Sequence, residues 1–95
     1  MKPNAIPTRT RLQMEAAIDA KIRHYQRCRP LFRFLDHEVC DAGRDIFSDT
    51  EALAEWFCAP ARALGYKVPL RVMRTARGRR QVLQCLLAIS NGGYL

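Results

Sequence analysis

Apolar residues recur at helical spacing in the first third of the chain. A helix is predicted to begin after Thr8 or Thr10, either of which has the hydroxyl that an N-cap uses. On a wheel of about 100° per residue, four apolar side chains then fall within about 80° of one another: Met14, Ile18, Ile22 and Tyr25. Lys21 lies at the edge of this stripe and would have to extend its amine to water. The pattern therefore predicts an amphipathic helix that packs by this stripe.

A second helix is predicted to begin at Pro30, because proline fits the first turn of a helix, where no amide hydrogen bond is lost. Leu31, Leu35 and Val39 would form its buried face. Gly43 is the expected C-terminal stop, since glycine is common just past the end of a helix.

The second half of the chain predicts four more helices, two of them short. Ser48 or Asp49 is expected to cap a helix with one apolar face formed by Leu53, Trp56 and Phe57. Short helices are predicted at Ala63–Leu64 and from Pro69 to Met73, and Thr75 is expected to cap a last helix that runs to about Ser90. No alternating apolar and polar run predicts a strand. The expected fold is all-α, a compact bundle of about five helices.

Charge divides the chain into three blocks. Residues 1–35 carry a net charge of +6, residues 36–55 carry −6 and residues 56–95 carry +7, which sum to the overall +7 of the 95 residues. A fold that lays the acidic block against the basic ends would neutralise much of this charge internally. The length predicts one compact unit, and the absence of an apolar leader or of a long apolar run favours a cytoplasmic location.

Cysteine and histidine provide no recognisable catalytic or metal site. Cys28, Cys40, Cys58 and Cys85 are too far apart in sequence for a zinc ribbon or finger, and they are expected to be reduced thiols in apolar surroundings. His24 and His37 lie among charged residues and are expected at the surface. Nucleotide-binding and zinc-protease motifs are absent. We therefore predict no enzymatic activity, no metal and no cofactor.

Arginine clusters at both ends of the chain raise the question of an anionic partner. Candidate DNA-binding residues on the first helix are Arg9, Arg11, Arg23 and Arg27. Arg77, Arg79 and Arg80 begin the last helix, where the helix dipole disfavours cations. Either the acidic block of this chain or an external anion offsets that cost. The segment from Leu31 to Val39 is too apolar for the recognition helix of a helix-turn-helix unit.

The stretch from Leu53 to Leu95 resembles the toxin-binding domain of Xre/MbcA/ParS-type antitoxins. That family's pattern is a helical Trp, a nearby Pro, Leu-Gly, Pro-Leu, and a Thr with Gly three residues on. An apolar helix follows, and the pattern closes with Gly and an aromatic residue. The matching positions are Trp56, Pro60, Leu64, Gly65, Pro69, Leu70, Thr75, Gly78, Val82, Leu86, Ile89, Gly92 and Tyr94. This many ordered positions are hard to produce by chance.

The resemblance implies an antitoxin whose protein partner is a RES-domain toxin, an enzyme that consumes or transfers from NAD. In that family the C-terminal segment of the antitoxin enters the active-site cleft of the toxin and blocks it. The toxin-binding residues implied here are Arg79, Ser90, Asn91, Gly92, Gly93, Tyr94 and Leu95. Homodimerisation and a hetero-oligomer with the toxin stay open, and no membrane association is expected.

Three positions or regions depart from the family pattern. Tyr66 stands where a second small residue usually follows Leu-Gly, and Ala76 and Arg77 stand where acidic residues are usual. Residues 1–47 are expected to form a basic helical segment, too short for the family's complete helix-turn-helix domain, and residues 48–95 the toxin-binding domain. Two other functions therefore stay open: a small basic DNA-binding regulator, and a stand-alone inhibitor of another host enzyme.

Overall fold

Five α-helices and two 3₁₀ helices form the fold in the computed structural model, which describes residues 5–92. The predicted all-α class is confirmed: within these residues, extended pairing is limited to one isolated bridge between Ala61 and Lys67. The α-helices are α1 (Thr8–Cys28), α2 (His37–Arg44), α3 (Thr50–Cys58), α4 (Pro69–Val72) and α5 (Ala76–Ser90), and the 3₁₀ helices are Arg29–Phe34 and Arg62–Leu64.

Side-chain caps begin three of the helices. The carboxylate of Asp36 accepts a hydrogen bond from the Val39 amide at 2.9 Å, and that of Asp49 accepts one from the Glu51 amide at 3.0 Å. The hydroxyl of Thr75 accepts one from the Gly78 amide at 3.0 Å. Each bond satisfies an amide that the first turn would leave free and stabilises its helix by about 1 kcal/mol. The predicted caps of α3 and α5 are confirmed.

The prediction of one continuous helix from Pro30 to Gly43 is wrong. The chain forms the 3₁₀ helix Arg29–Phe34, becomes extended at Leu35, and begins α2 anew with Asp36 as its cap. Gly43 is not the stop either, because it lies inside α2 and is buried. A Cβ at Gly43 would approach the Leu53 side chain to 2.6 Å, so this glycine permits close packing of α2 on α3.

The hydrophobic core lies between α2, α3, α4 and α5. Its largest fully buried apolar side chains are Phe57, Leu70, Leu86, Val39 and Val82. Burial of each stabilises the fold by about 1.5–3 kcal/mol. The core joins residues on both sides of position 47, and the division of the chain into residues 1–47 and 48–95 stays a prediction.

Helix α1 differs most from expectation. Its predicted apolar stripe is not buried: Met14, Ile18 and Ile22 are 55%, 57% and 48% exposed, and Tyr25 alone of the four is half-buried. The helix also begins without a side-chain cap, at Thr8 behind Pro7. The C-terminal end of α1 packs on the body, and the rest projects, giving extents of 57 × 27 × 23 Å. None of the described helices is long and apolar enough to cross a membrane.

Candidate functional site: the C-terminal end of α5 and its flanking grooves

The C-terminal end of α5 brings together three of the predicted toxin-binding residues. Ser90, Asn91 and Gly92 are all exposed there. The Asn91 amide donates to the Leu87 carbonyl at 3.0 Å, and the Gly92 amide donates to that of Ile89 at 3.2 Å. Gly92 has φ +99°, a conformation that side chains disfavour, so the chain changes direction here. Gly93, Tyr94 and Leu95 lie outside the described residues.

Arg79 lies at the opposite end of α5, eleven residues and about 16 Å from Ser90. Its guanidinium donates to the Asp36 carboxylate at 2.9 Å and to the Glu38 carboxylate at 3.2 Å. Hydrogen bonding to Glu38, together with the charge of Asp36, raises the pKa of Arg79 further above its ordinary range. At Arg79, the acidic block of the chain therefore offsets the cost of a cation at the start of α5. The sequence had left open whether this block or an external anion does so.

A groove beside the C-terminal half of α5 has an aromatic edge that the sequence did not mark as functional. It encloses about 220 Å³, and its lining includes Trp56, Tyr66, Cys85 and Ile89. The Tyr66 side chain is 68% exposed although its backbone has φ +63°, the left-handed region that favours glycine. An exposed aromatic side chain is a frequent anchor in protein interfaces. The departure from the family pattern at this position was the only signal in the sequence.

A second, more basic groove lies between α4 and the first turns of α5. It encloses about 550 Å³, and Lys67, Arg71 and Arg77 line it together with Thr75 and Gln81. All three basic side chains are exposed to solvent. The groove suits an acidic protein surface better than an apolar one.

The four candidate DNA-binding residues do not share one face. Arg9, Arg23 and Arg27 lie within about 40° of one another on the side of α1 opposite its apolar stripe, whereas Arg11 lies beside Met14 and Ile18. All four are exposed. The next helix, α2, has Glu38 and Asp41 exposed, and these carboxylates would repel phosphate groups.

The thiols and the histidines give no arrangement suited to catalysis. His24 is half-buried, which corrects the surface prediction, and its Nε2 lies 2.6 Å from the Cys58 carbonyl oxygen and 3.7 Å from the Cys28 Sγ. Burial and the neighbouring Cys28 thiol raise the pKa of Cys58 to about 11, the reverse of what a thiolate nucleophile needs. All four cysteines are free, and His37 is exposed as predicted. Across residues 5–92, no three potential ligands are placed to hold a metal ion.

These features define a small all-α domain in which the C-terminal end of α5 is exposed beside an aromatic-edged groove, with a basic groove at the start of the same helix. The family profile of the antitoxin Xre/MbcA/ParS C-terminal toxin-binding domain matches residues 42–92, more than half of the chain. The chain belongs to this family, and its matched region is a domain of the class that binds a protein toxin. No curated protein and no solved structure matches the chain.

Proposed function

We propose that this antitoxin neutralises a RES-type, NAD-consuming toxin by placing its segment from Ser90 to Leu95 in the active-site cleft. The observation that carries the proposal is the end of α5: a helix anchored in the core by Val82 and Leu86 exposes Ser90 and turns at Gly92. The helix end fixes the positions of Ser90, Asn91 and Gly92 before the toxin binds. Binding of these residues therefore costs little ordering entropy.

The two grooves give the rest of the proposed contact surface. Tyr66 and Ile89 would flank the inserted segment on the side of Trp56. Arg71 and Arg77 of the basic groove, with Arg74 and Arg80 nearby in sequence, would face acidic residues of the toxin, where opposite charges mainly speed encounter and set specificity. Arg79 would contribute chiefly by fixing the start of α5 against α2.

The direct test is co-expression of this chain with a RES-domain toxin, ideally one encoded beside it, in a host whose NAD level is followed. We expect restored growth and an NAD level close to that of toxin-free cells. A toxin that stays fully active although the chain is present and folded would remove the RES assignment. The stand-alone inhibitor of another host enzyme would then be the better hypothesis.

Replacement of Tyr66 by glycine is expected to separate stability from binding. A side chain at φ +63° costs free energy that glycine avoids, but glycine loses more conformational entropy on folding. The difference should raise the free energy of unfolding by about 0.5–1 kcal/mol. Loss of the exposed ring should weaken toxin binding about tenfold or more. Thermal unfolding and titration calorimetry measure the two effects. Leu87→Ala, which removes an exposed apolar side chain from outside both grooves, is the control and should leave binding nearly unchanged.

DNA binding is the second candidate, favoured by the arginine face of α1 opposite the apolar stripe. Phosphate contacts from Arg9, Arg23 and Arg27 would make affinity for nonspecific duplex DNA fall steeply with salt, by about one logarithmic unit per contact for each tenfold rise in concentration. A fluorescence titration from low to physiological salt measures this slope. Absence of binding at the lowest salt would eliminate the DNA hypothesis.

A further inference from the structure

The projecting part of α1, from Thr8 to Arg23, is a helix that nothing in the described chain covers. Every residue in it is exposed. A shallow groove along it is lined by Ile6, Arg11, Met14, Glu15, Ile18 and Asp19. Ile6, Met14, Ile18 and Ile22 keep between 48% and 58% of their surface exposed. We call this projecting helix the arm and its apolar side the arm face.

The arm has little to stabilise it as an isolated helix. Sixteen residues are close to the limit at which a helix holds in water, and the arm begins without a side-chain cap. Arg9 and Arg11 stand in its first turn, where the helix dipole disfavours cations, and no acidic residue lies there. Burial of the arm face would supply the missing stabilisation.

We propose that the arm face pairs with the same face of a second copy of this chain, with the two helices antiparallel and crossing near Met14. In such a pair, positions whose numbers add up to 28 lie level with each other. Met14 then meets its own copy, and Ile22 lies level with the partner's Ile6. The apolar side chains of the two arm faces thereby cover one another, whereas Leu12, which is 54% exposed, lies off this face and stays outside the contact.

Charge along one edge of the arm face fits this arrangement. Taking Met14 as zero on the helical wheel, Arg11 lies at about 60°, within the apolar stripe, and Glu15 and Asp19 lie at about 100° and 140°, just beyond the stripe on the same side. Because a two-fold axis brings equal edges of antiparallel helices together, Arg11 falls between the partner's Glu15 and the partner's Asp19. The same contact repeats on the other side of the axis.

A second copy fits this face better than a different partner does. This side of the arm carries one basic and two acidic residues, and in a second copy each meets a residue of opposite charge. A purely acidic partner would repel Glu15 and Asp19, and a purely basic partner would repel Arg11. Antiparallel pairing also places the two bodies at opposite ends, beyond the C-terminal turns of each α1, where they do not collide. In this register the two helices overlap from residue 8 to residue 20, about 20 Å, which makes a small interface. We expect a dissociation constant of about micromolar order.

Charge reversal tests the pairing without any toxin or DNA. The full chain is measured by sedimentation equilibrium across the micromolar range, alone and as the variants R11E and E15K/D19K. Each variant places like charges opposite one another in its own dimer, so we expect the dissociation constant to rise about tenfold or more. Mixed in equal amounts, the two variants restore opposite charges at both contacts and should form a dimer again. Circular dichroism checks that each remains helical.

Arg23→Glu is the matched control, because Arg23 lies on the opposite side of the arm and the substitution changes the charge by the same amount. This variant should dimerise like the unmodified chain. Ile18→Glu, which places a carboxylate on the apolar stripe itself, should be monomeric. Three results would each overturn the proposal. The unmodified chain could be monomeric at tens of micromolar, or the dimer could persist in both charge variants and in Ile18→Glu. The third is an equal mixture of the two charge variants that stays monomeric.

Discussion

Removal of Asn91–Leu95 is expected to abolish protection against a co-expressed RES toxin while leaving the helix content and thermal stability of the antitoxin unchanged. The buried residues of α5 are Gly78, Val82 and Leu86, all on the N-terminal side of the cut. The described part of the removed segment contributes only two backbone hydrogen bonds, from Asn91 and Gly92. The fold would therefore lose little, whereas the proposed inhibitory contact would lose its central element.

The measurement needs both growth and binding, because the grooves beside α5 stay in place after truncation. We expect the truncated chain to retain weak toxin binding and to lose inhibition of NAD consumption. Gly92→Ala is the companion variant: it keeps the chain length but disfavours φ +99°, and should reduce protection partially. A truncated chain that protects as well as the full chain would contradict occlusion by this segment.

Local features of this fold could be read from the sequence, and features that depend on distant residues could not. Asp49 and Thr75 were predictable caps because a cap bonds to an amide within a few residues. The pairing of Arg79 with Asp36 spans 43 positions, so that no spacing rule could indicate it. The acidic block predicted that some basic residues are neutralised within the chain, and in the structure Arg79 is such a residue.

The arm and Gly43 illustrate a different limit. Periodicity shows that one side of α1 is apolar, but it cannot tell whether this chain or another molecule covers that side. Gly43 lies one residue from the end of α2, where a stop and a packing position look alike in sequence. Leu53, ten residues later, decides between them, because its side chain occupies the space that a Cβ at Gly43 would need.

The candidate site was predictable mainly through its resemblance to the antitoxin family. Composition and spacing alone indicated a helix ending near Ser90 followed by Asn91 and glycines, a pattern shared with many helix ends. Tyr66 could be noticed as a departure, but its left-handed backbone and exposed ring follow from the tight turn after the 3₁₀ helix Arg62–Leu64. Periodicity does not indicate such a conformation.

The Thr-x-x-Gly element of the family pattern has a packing explanation here. The Thr75 hydroxyl caps α5 by accepting from the Gly78 amide, and Gly78 lies in the first turn of the helix against the end of α4. A Cβ at Gly78 would lie 1.7 Å from the Val72 carbonyl oxygen and 2.8 Å from its carbonyl carbon. Backbone atoms cannot rotate away as a side chain can. The glycine therefore fixes how closely α4 and α5 approach, which in turn fixes the basic groove between them.

Gly78→Ala is accordingly expected to lower the free energy of unfolding by about 3 kcal/mol, although alanine is the better helix former by about 1 kcal/mol. In a chain of this length such a loss should lower the Tm by roughly 10–20 °C, measured by thermal unfolding. Gly65→Ala is the matched control: its φ is +66° and a Cβ there meets nothing within 4 Å, so only the backbone cost of about 1 kcal/mol applies. A loss at Gly78 no larger than that at Gly65 would contradict the proposed contact with Val72, because the helical backbone at Gly78 by itself favours alanine. A larger loss at Gly78 would show that close contact with the Val72 backbone sets the distance between α4 and α5, and with it the shape of the basic groove.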